Sequence, residues 1–187
     1  KDIGVRVIRM PTRATLKDST MVAAAQAIKE IGAVPLVVIN GPEYKDGLLQ
    51  QSDQHLLSLL TPVFGKQPMY FEFGNESDLN GISADAYVQA WNAVIPALKQ
   101  QFPTARFIGA DNYQFTRRYL KTFLEKATVL PDGVSWHEYT CSVHWTAAFC
   151  LANIDTWSLH VTQARAAMQE AIHTTLPIWI TEWNYVS

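Results

Sequence analysis

The chain has 187 residues, 48% hydrophobic and 17% charged, and no apolar run approaches the roughly 20 residues that span a bilayer, so a globular chain with a real core and no membrane span is expected. Its 15 basic and 17 acidic residues leave a net charge of -2, and the longest Lys/Arg run is Arg117-Arg118, which argues against nucleic acid as a partner. Six Trp, seven Tyr and eight Phe are compatible with a carbohydrate site, because flat rings with polar tips suit sugar faces as well as they suit a core.

In chain order, short apolar and β-branched runs bounded by Gly, Pro or Asn predict strands at Val5–Met10, Pro35–Asn40, Met69–Phe73, Ala105–Ala110, Gly133–Tyr139 and Pro177–Thr181. Helix-length amphipathic segments fall between them at Ser19–Ile31, capped by Asp18 or Ser19, and at Ser52–Val63, Ser83–Phe102, Phe115–Ala127 and Ile154–Ile172. In Ser83–Phe102 the helical spacing of Tyr87, Trp91, Val94, Ile95 and Leu98 predicts core packing, and Pro96 predicts a kink. His55, His160 and His173 lie in helices without acidic or Cys partners at metal spacing and read as surface or core-edge residues.

Predicted strands start at residues 5, 35, 69, 105, 133 and 177, a repeat of one βα unit without sequence-level repetition. Such an order builds an open doubly wound sheet or an eightfold barrel. The Gly-rich phosphate loop of a nucleotide-binding open sheet is absent, which favours a (β/α)8 TIM-barrel-type domain. About six units are present, whereas a full barrel takes roughly 250 residues, so residues 1–187 read as a single partial barrel domain. Either a flanking segment or an oligomer contact is then expected to cover the open edges.

Lys1-Asp-Ile-Gly-Val-Arg6 lacks the apolar stretch of a secretory leader, a pattern shared by a mature or excised chain. Cys141 and Cys150 fit neither a zinc pattern nor a redox Cys-x-x-Cys pair. They are either a loop-stapling disulfide of an exported protein or two unpaired thiols. Trp145 and Phe149, between them, are either loop packing or an aromatic wall above a substrate.

Two predicted strands close on glutamates, Glu76 in Met69-Tyr-Phe-Glu-Phe-Gly-Asn-Glu76 and Glu182 in Pro177-Ile-Trp-Ile-Thr-Glu-Trp-Asn184. Alternation puts Glu72, Gly74 and Glu76 on one face, and Ile178, Ile180 and Glu182 on one face, so both carboxylates are expected to point inward at the carboxyl-end rim where barrel sites lie. Paired carboxylates suit glycosidic-bond hydrolysis, in which one protonates the leaving oxygen and the other attacks or activates water. Gly133–Tyr139 offers Ser135, His137 and Tyr139 on one face and Trp136 and Glu138 on the other. Arg9 either supports a carboxylate's charge or forms an ion pair with Glu72. Asn40 and Asp111 also end predicted strands, Trp183 adjoins Glu182 as a binding candidate, and no clustered His ligands call for a metal.

Gly74-Asn75-Glu76, His137-Glu-Tyr139 and Thr181-Glu182-Trp183-Asn184 resemble the fourth, sixth and seventh strands of clan A, the retaining (β/α)8 glycoside hydrolases, in order and interval over essentially the whole chain. Their wording is similar to heparanase-like β-glucuronidases and α-L-arabinofuranosidases for the first two, and to the β-xylosidase and α-L-iduronidase family for the third. The resemblance implies Glu76 as general acid/base, Glu182 as nucleophile, Asn75 on the sugar 2-hydroxyl, Tyr139 steadying Glu182, Arg9 supporting its charge and His137 lining the subsite. It also implies that strands one and eight are missing, that the partner is an oligo- or polysaccharide, and that no metal or organic cofactor takes part; the disulfide reading of Cys141 and Cys150 makes an extracellular setting the expectation. The rival expectation is a non-catalytic carbohydrate-binding or scaffold protein derived from a degenerate glycosidase barrel.

Overall fold

The computed structural model describes residues 4–11, 16–44 and 49–186. Lys1, Asp2 and Ile3, part of the stretch read for a leader, lie outside the described residues. Six strands alternate with helices: β1 (Val7–Met10), α1 (Asp18–Glu30), β2 (Val34–Ile39), α2 (Leu49–Phe64), β3 (Met69–Phe73), α3 (Ala84–Gln101), β4 (Ala105–Asn112), α4 (Arg117–Lys126), β5 (Gly133–Cys141), α5 (Ala147–Ala152), α6 (Thr156–Ile172) and β6 (Ile178–Val186). All neighbouring strands pair in parallel, in the order β1-β2-β3-β4-β5-β6.

Because successive strand residues alternate faces, one face of this sheet packs on the helices and the other lines the barrel interior. Val37 and Ile39 of β2, Met69, Phe71 and Phe73 of β3 and Val134 and Trp136 of β5 join the helical core. Trp91 of α3 is fully buried there, with ring contacts to Phe73 and Phe123 and an indole N–H donated to the Val129 carbonyl at 2.8 Å. Tyr70 of β3 meets Trp179 of β6 at 4.7 Å between ring centroids, although two strands, β4 and β5, lie between them in the order, and Arg9 of β1 reaches Glu182 of β6. The sheet is thus curled into a nearly closed barrel whose two edge strands face each other across the interior.

Several expectations are corrected in detail. Lys17, not Asp18 or Ser19, occupies the N-cap of α1 and makes no side-chain cap bond; Asp18 lies in the first turn, where its charge suits the helix dipole, and reaches His55 Nε2 at 2.9 Å. α3 keeps Pro96 within its span, as read from the sequence, and is capped by Ser83, whose hydroxyl accepts from the Ala86 N–H. A short helix, α5, interrupts the stretch expected to be loop before α6, and Thr146 caps it. β3 ends at Phe73, because Gly74 (φ 93°) and Glu76 (φ 53°) adopt left-handed backbone; a turn rather than strand alternation delivers Glu76.

β6 likewise departs from simple alternation. Ile180 pairs with Trp136 while Glu182 pairs with His137, so Thr181 is an extra residue in the register. This bulge separates Glu182 from the face shared by Ile178 and Ile180, which pack toward the helical core, and turns it to the His137 side. Without it, Glu182 would follow Ile178 and Ile180 outward. A second irregularity at Asp111 (φ 51°) does the same on β4, where Ala110 pairs with Ser135 and Asn112 with Trp136.

Candidate functional site

At the carboxyl ends of the strands the interior narrows onto one guanidinium. Arg9 donates from Nε to Glu72 Oε2 at 2.7 Å, from Nη2 to Asn75 Oδ1 at 2.9 Å and from Nη1 to Glu182 Oε1, and its Nη2 lies 3.6 Å from Asp111 Oδ2. The two readings of Arg9, partner of Glu72 and support for a catalytic carboxylate, therefore hold together in one side chain. Burial opposes the Arg9 charge, but Glu72 and Asp111, then Glu182, more than compensate, so its pKa rises.

His137 is the second cation. Its Nδ1 is 2.8 Å from Glu76 Oε1 and its Nε2 is 2.8 Å from Asp111 Oδ1, so both ring nitrogens face carboxylates. Only the imidazolium donates from both. Burial works against that charge, yet the hydrogen bonds to Asp111 and Glu76 outweigh it and carry the His137 pKa up to about 10. On the other side of the pair, burial and the adjacent Glu72 push the Asp111 carboxyl well above the usual range. The Asp111–His137 pair consequently retains a proton well above neutral pH.

Glu182 receives three donors or charges. Besides Arg9 on Oε1, the Tyr139 hydroxyl donates to Oε2 at 3.0 Å, and His137 Nε2 lies 3.8 Å from Oε1. Partial burial raises its pKa, but His137, Arg9 and the Tyr139 hydrogen bond overcome that and hold it below the usual carboxylate value. The phenol shifts in the opposite sense, with burial and the Glu182 hydrogen bond carrying Tyr139 up to about 12. One carboxylate oxygen of Glu76, one of Glu182 and a ring nitrogen of His137 lie within 4.8 Å of one another. Oxygens and nitrogens of Glu72, Asp111 and His137 are equally close. Either trio has the spacing of cation ligands, and here Arg9 and His137 supply the positive charge among them.

The loop that carries Glu76 is clasped from both sides. Glu43, in the turn after β2, accepts from the Asn75 N–H at 2.8 Å and the Ser77 hydroxyl at 2.6 Å, while the Glu76 N–H donates to the Asp111 carbonyl at 3.0 Å. Gly41 permits the first clasp, since a Cβ there would stand 2.4 Å from the Gly74 Cα. A cleft of about 470 Å³ opens over these groups, lined by Arg9, Glu43, Tyr44, Asn75, Asn80 and Glu182 among others.

Of the residues expected at the site, Arg9, Asn75, Glu76, His137, Tyr139 and Glu182 converge. Trp183 does not join them: it pairs in register with Glu138, packs at 6.0 Å against Trp157 of α6 and is 69% exposed, on the face opposite Glu182. Asn40 is used in the frame, its N–H donated to Asp53 Oδ1 at 2.9 Å. Sequence reasoning ranked Asp111 low and missed Glu43. The signal for Glu43 was its place just after Gly41-Pro42 at a strand end; for Asp111, its place at the end of a strand neighbouring His137.

The family described as glycosyl hydrolase catalytic core matches residues 50–187. N2152 from Neocallimastix frontalis is similar in structure, with a TM-score of 0.72 and 22% identity over 96% of this chain and 46% of that one. AbfB, a family 51 α-L-arabinofuranosidase from Bifidobacterium longum, gives a TM-score of 0.69 at 17% identity, covering 98% of this chain and 48% of that one. The bacterial orthologue of human α-L-iduronidase gives 0.67 at 16% identity, covering 98% and 36%. At these identities the likeness is one of fold, that of TIM-barrel glycosidases. The chain spans about half the length of N2152 and AbfB. No curated protein matches it.

Proposed function

Because the chain belongs to the glycosyl hydrolase catalytic core family, we propose that it cleaves O-glycosidic bonds with net retention, using Glu182 as nucleophile and Glu76 as general acid/base. The observation that carries this reading is the approach of a Glu76 oxygen to within 4.8 Å of a Glu182 oxygen, beside an open cleft lined by Glu182 and Asn75. Carboxyl groups about 5 to 5.5 Å apart suit double displacement, whereas inversion needs about 6.5 to 9.5 Å to admit a water.

In the first step a Glu182 oxygen bonds to the anomeric carbon as the glycosidic C–O bond breaks, and Glu76 gives its proton to the departing oxygen. In the second, Glu76 takes a proton from water, the water oxygen bonds to the anomeric carbon, and Glu182 leaves as carboxylate. Arg9, Tyr139 and His137 favour the ionised Glu182 that the first step requires. The Asn75 carbonyl oxygen is engaged by Arg9, which leaves Nδ2 as a donor for a sugar hydroxyl. No step calls for a metal or organic cofactor.

The substrate class is an oligo- or polysaccharide, and residues 1–187 form one partial barrel domain. Among the described residues β1 and β6 each have one neighbour in the sheet, so a further chain segment or a second copy is proposed to cover those edges. The Cys141–Cys150 disulfide, with Cα atoms 5.0 Å apart, favours an extracellular setting. No helix among the described residues is long and apolar enough to cross a membrane.

The test is the stereochemistry of hydrolysis, followed by proton NMR on a panel of aryl glycosides. Product released first with the substrate's own anomeric configuration is expected. First release of the opposite anomer would overturn the retaining assignment, and glycan binding without hydrolysis would favour the non-catalytic alternative.

A further inference from the structure

A second cavity, of about 440 Å³, is linked to the first through Tyr139, which lines it and donates to Glu182 in the lining of the first. It is enclosed by the ends of β4 and β5, the disulfide-stapled segment and the start of α6. Tyr113 and Tyr139, stacked at 5.4 Å, stand in its wall, and Tyr139 is also the residue whose hydroxyl donates to Glu182. One wall is thus shared by the cavity and the reacting centre. The Gln114 side chain fixes that wall, donating to the Tyr139 carbonyl at 3.0 Å.

The lining combines two kinds of surface. Trp145 and Phe149 lie edge to face at 5.0 Å and stay 49% and 52% exposed, held over the cavity by the bridge between Cys141 and Cys150. Opposite them, Glu138 is buried, accepts from Trp136 Nε1 at 2.7 Å and binds His160 Nδ1 at 2.9 Å. That bond fixes the imidazole of His160, which lines the cavity, and leaves its other nitrogen, Nε2, without a hydrogen bond among the described residues. Ser142, Asn153 and Thr156 also line it; Asn153 Nδ2 donates to the Phe149 carbonyl at 2.9 Å and the Thr156 hydroxyl to the Asn153 carbonyl at 2.8 Å, which leaves their side-chain oxygens to accept. Aromatic faces opposed to fixed polar groups match a sugar ring, which presents C–H faces and a hydroxyl rim.

We propose that this cavity is a saccharide subsite, continuing the cleft past Tyr139 and taking another ring of the glycan chain whose bond lies between Glu76 and Glu182; it rests on the glycoside hydrolase reading. Trp145 and Phe149 stack on the ring, and His160 Nε2 hydrogen-bonds a hydroxyl in an orientation set by Glu138. The protein accordingly prefers oligosaccharides long enough to occupy both cavities over substrates that fill the centre alone.

Binding tests this without relying on turnover. Arabino-, xylo- and gluco-oligosaccharides of one to six units are titrated into the Glu182→Gln chain by calorimetry, with the Trp145 indole N–H followed by NMR. For the series that binds, affinity is expected to rise about tenfold once the chain reaches the second cavity, with the Trp145 signal shifting at that length. Trp145→Ala, Phe149→Ala and His160→Gln should each reduce that gain; the two aromatics are half-exposed, so their loss spares the core. Affinity independent of length, a gain that survives all three substitutions, or no binding of any series would overturn the subsite. Length-dependent binding at Trp145 in a wild-type chain that hydrolyses none of these sugars would leave the subsite standing and sink the hydrolase reading, and hydrolysis without length dependence would do the reverse.

Discussion

Replacing Tyr139 by Phe isolates one hydroxyl, because the ring that stacks on Tyr113 is kept while the 3.0 Å donor to Glu182 Oε2 is removed. A hydrogen bond to a charged acceptor is worth about 1.5 to 3 kcal/mol. The low end applies here, since the Glu182 side chain is 36% exposed, water can replace the lost donor, and Arg9 remains on Oε1. About 1.5 kcal/mol corresponds to roughly a tenfold fall in kcat/KM. The same hydrogen bond helps to hold Glu182 below its ordinary pKa, so its loss raises that pKa and moves the acid limb of kcat/KM to higher pH. Steady-state kinetics on an aryl glycoside from pH 3 to 8 measures both effects. An unchanged acid limb together with an unchanged rate would refute the role given to this hydroxyl, and a fall of several orders of magnitude would mean that Tyr139 does more than steady a carboxylate.

Four further outcomes are expected. Glu182→Gln should lower kcat on the order of 10⁴ to 10⁶-fold, as loss of a nucleophile does, and azide should restore turnover to Glu76→Ala on substrates with good leaving groups, read as glycosyl azide by mass spectrometry. His137 has its folded pKa raised from 6.5 to about 10, so its contribution to stability is complete below pH 6.5 and is lost as pH rises through about 10; urea unfolding over that window should fall by at most about 1.4 kcal/mol per pH unit, and the decline should flatten in His137→Gln. Reduction of the Cys141–Cys150 bridge, which spans nine positions, should cost about 2.5 to 3 kcal/mol, seen as a lower urea midpoint for Cys150→Ser; no change would mean that the stapled loop is equally constrained without it.

The positions of the strands and most helices were legible in the sequence because apolar periodicity is a local property, set by which face of each element meets the core. The glutamates, His137, Tyr139 and Arg9 were legible for the same reason: each sits at the end of an apolar run, and six such ends in βα order must meet at one rim. Register was not legible. Glu182 faces His137 only because Thr181 is bulged against β5, and Trp183 is turned toward Trp157 by the same extra residue, so an alternation count from Ile178 assigns the wrong partners. A bulge depends on pairing with a neighbouring strand whose residues lie more than forty positions away. Charge balance was set at still longer range, where Arg9 meets Glu182 across 173 positions and Glu72, Asp111 and His137 close around them. Sequence by itself therefore determined which chemical groups reach the rim. Only the curled sheet decided which of them touch, because burial in a shared interior is what pairs each charge with its partner and sets the protons they hold.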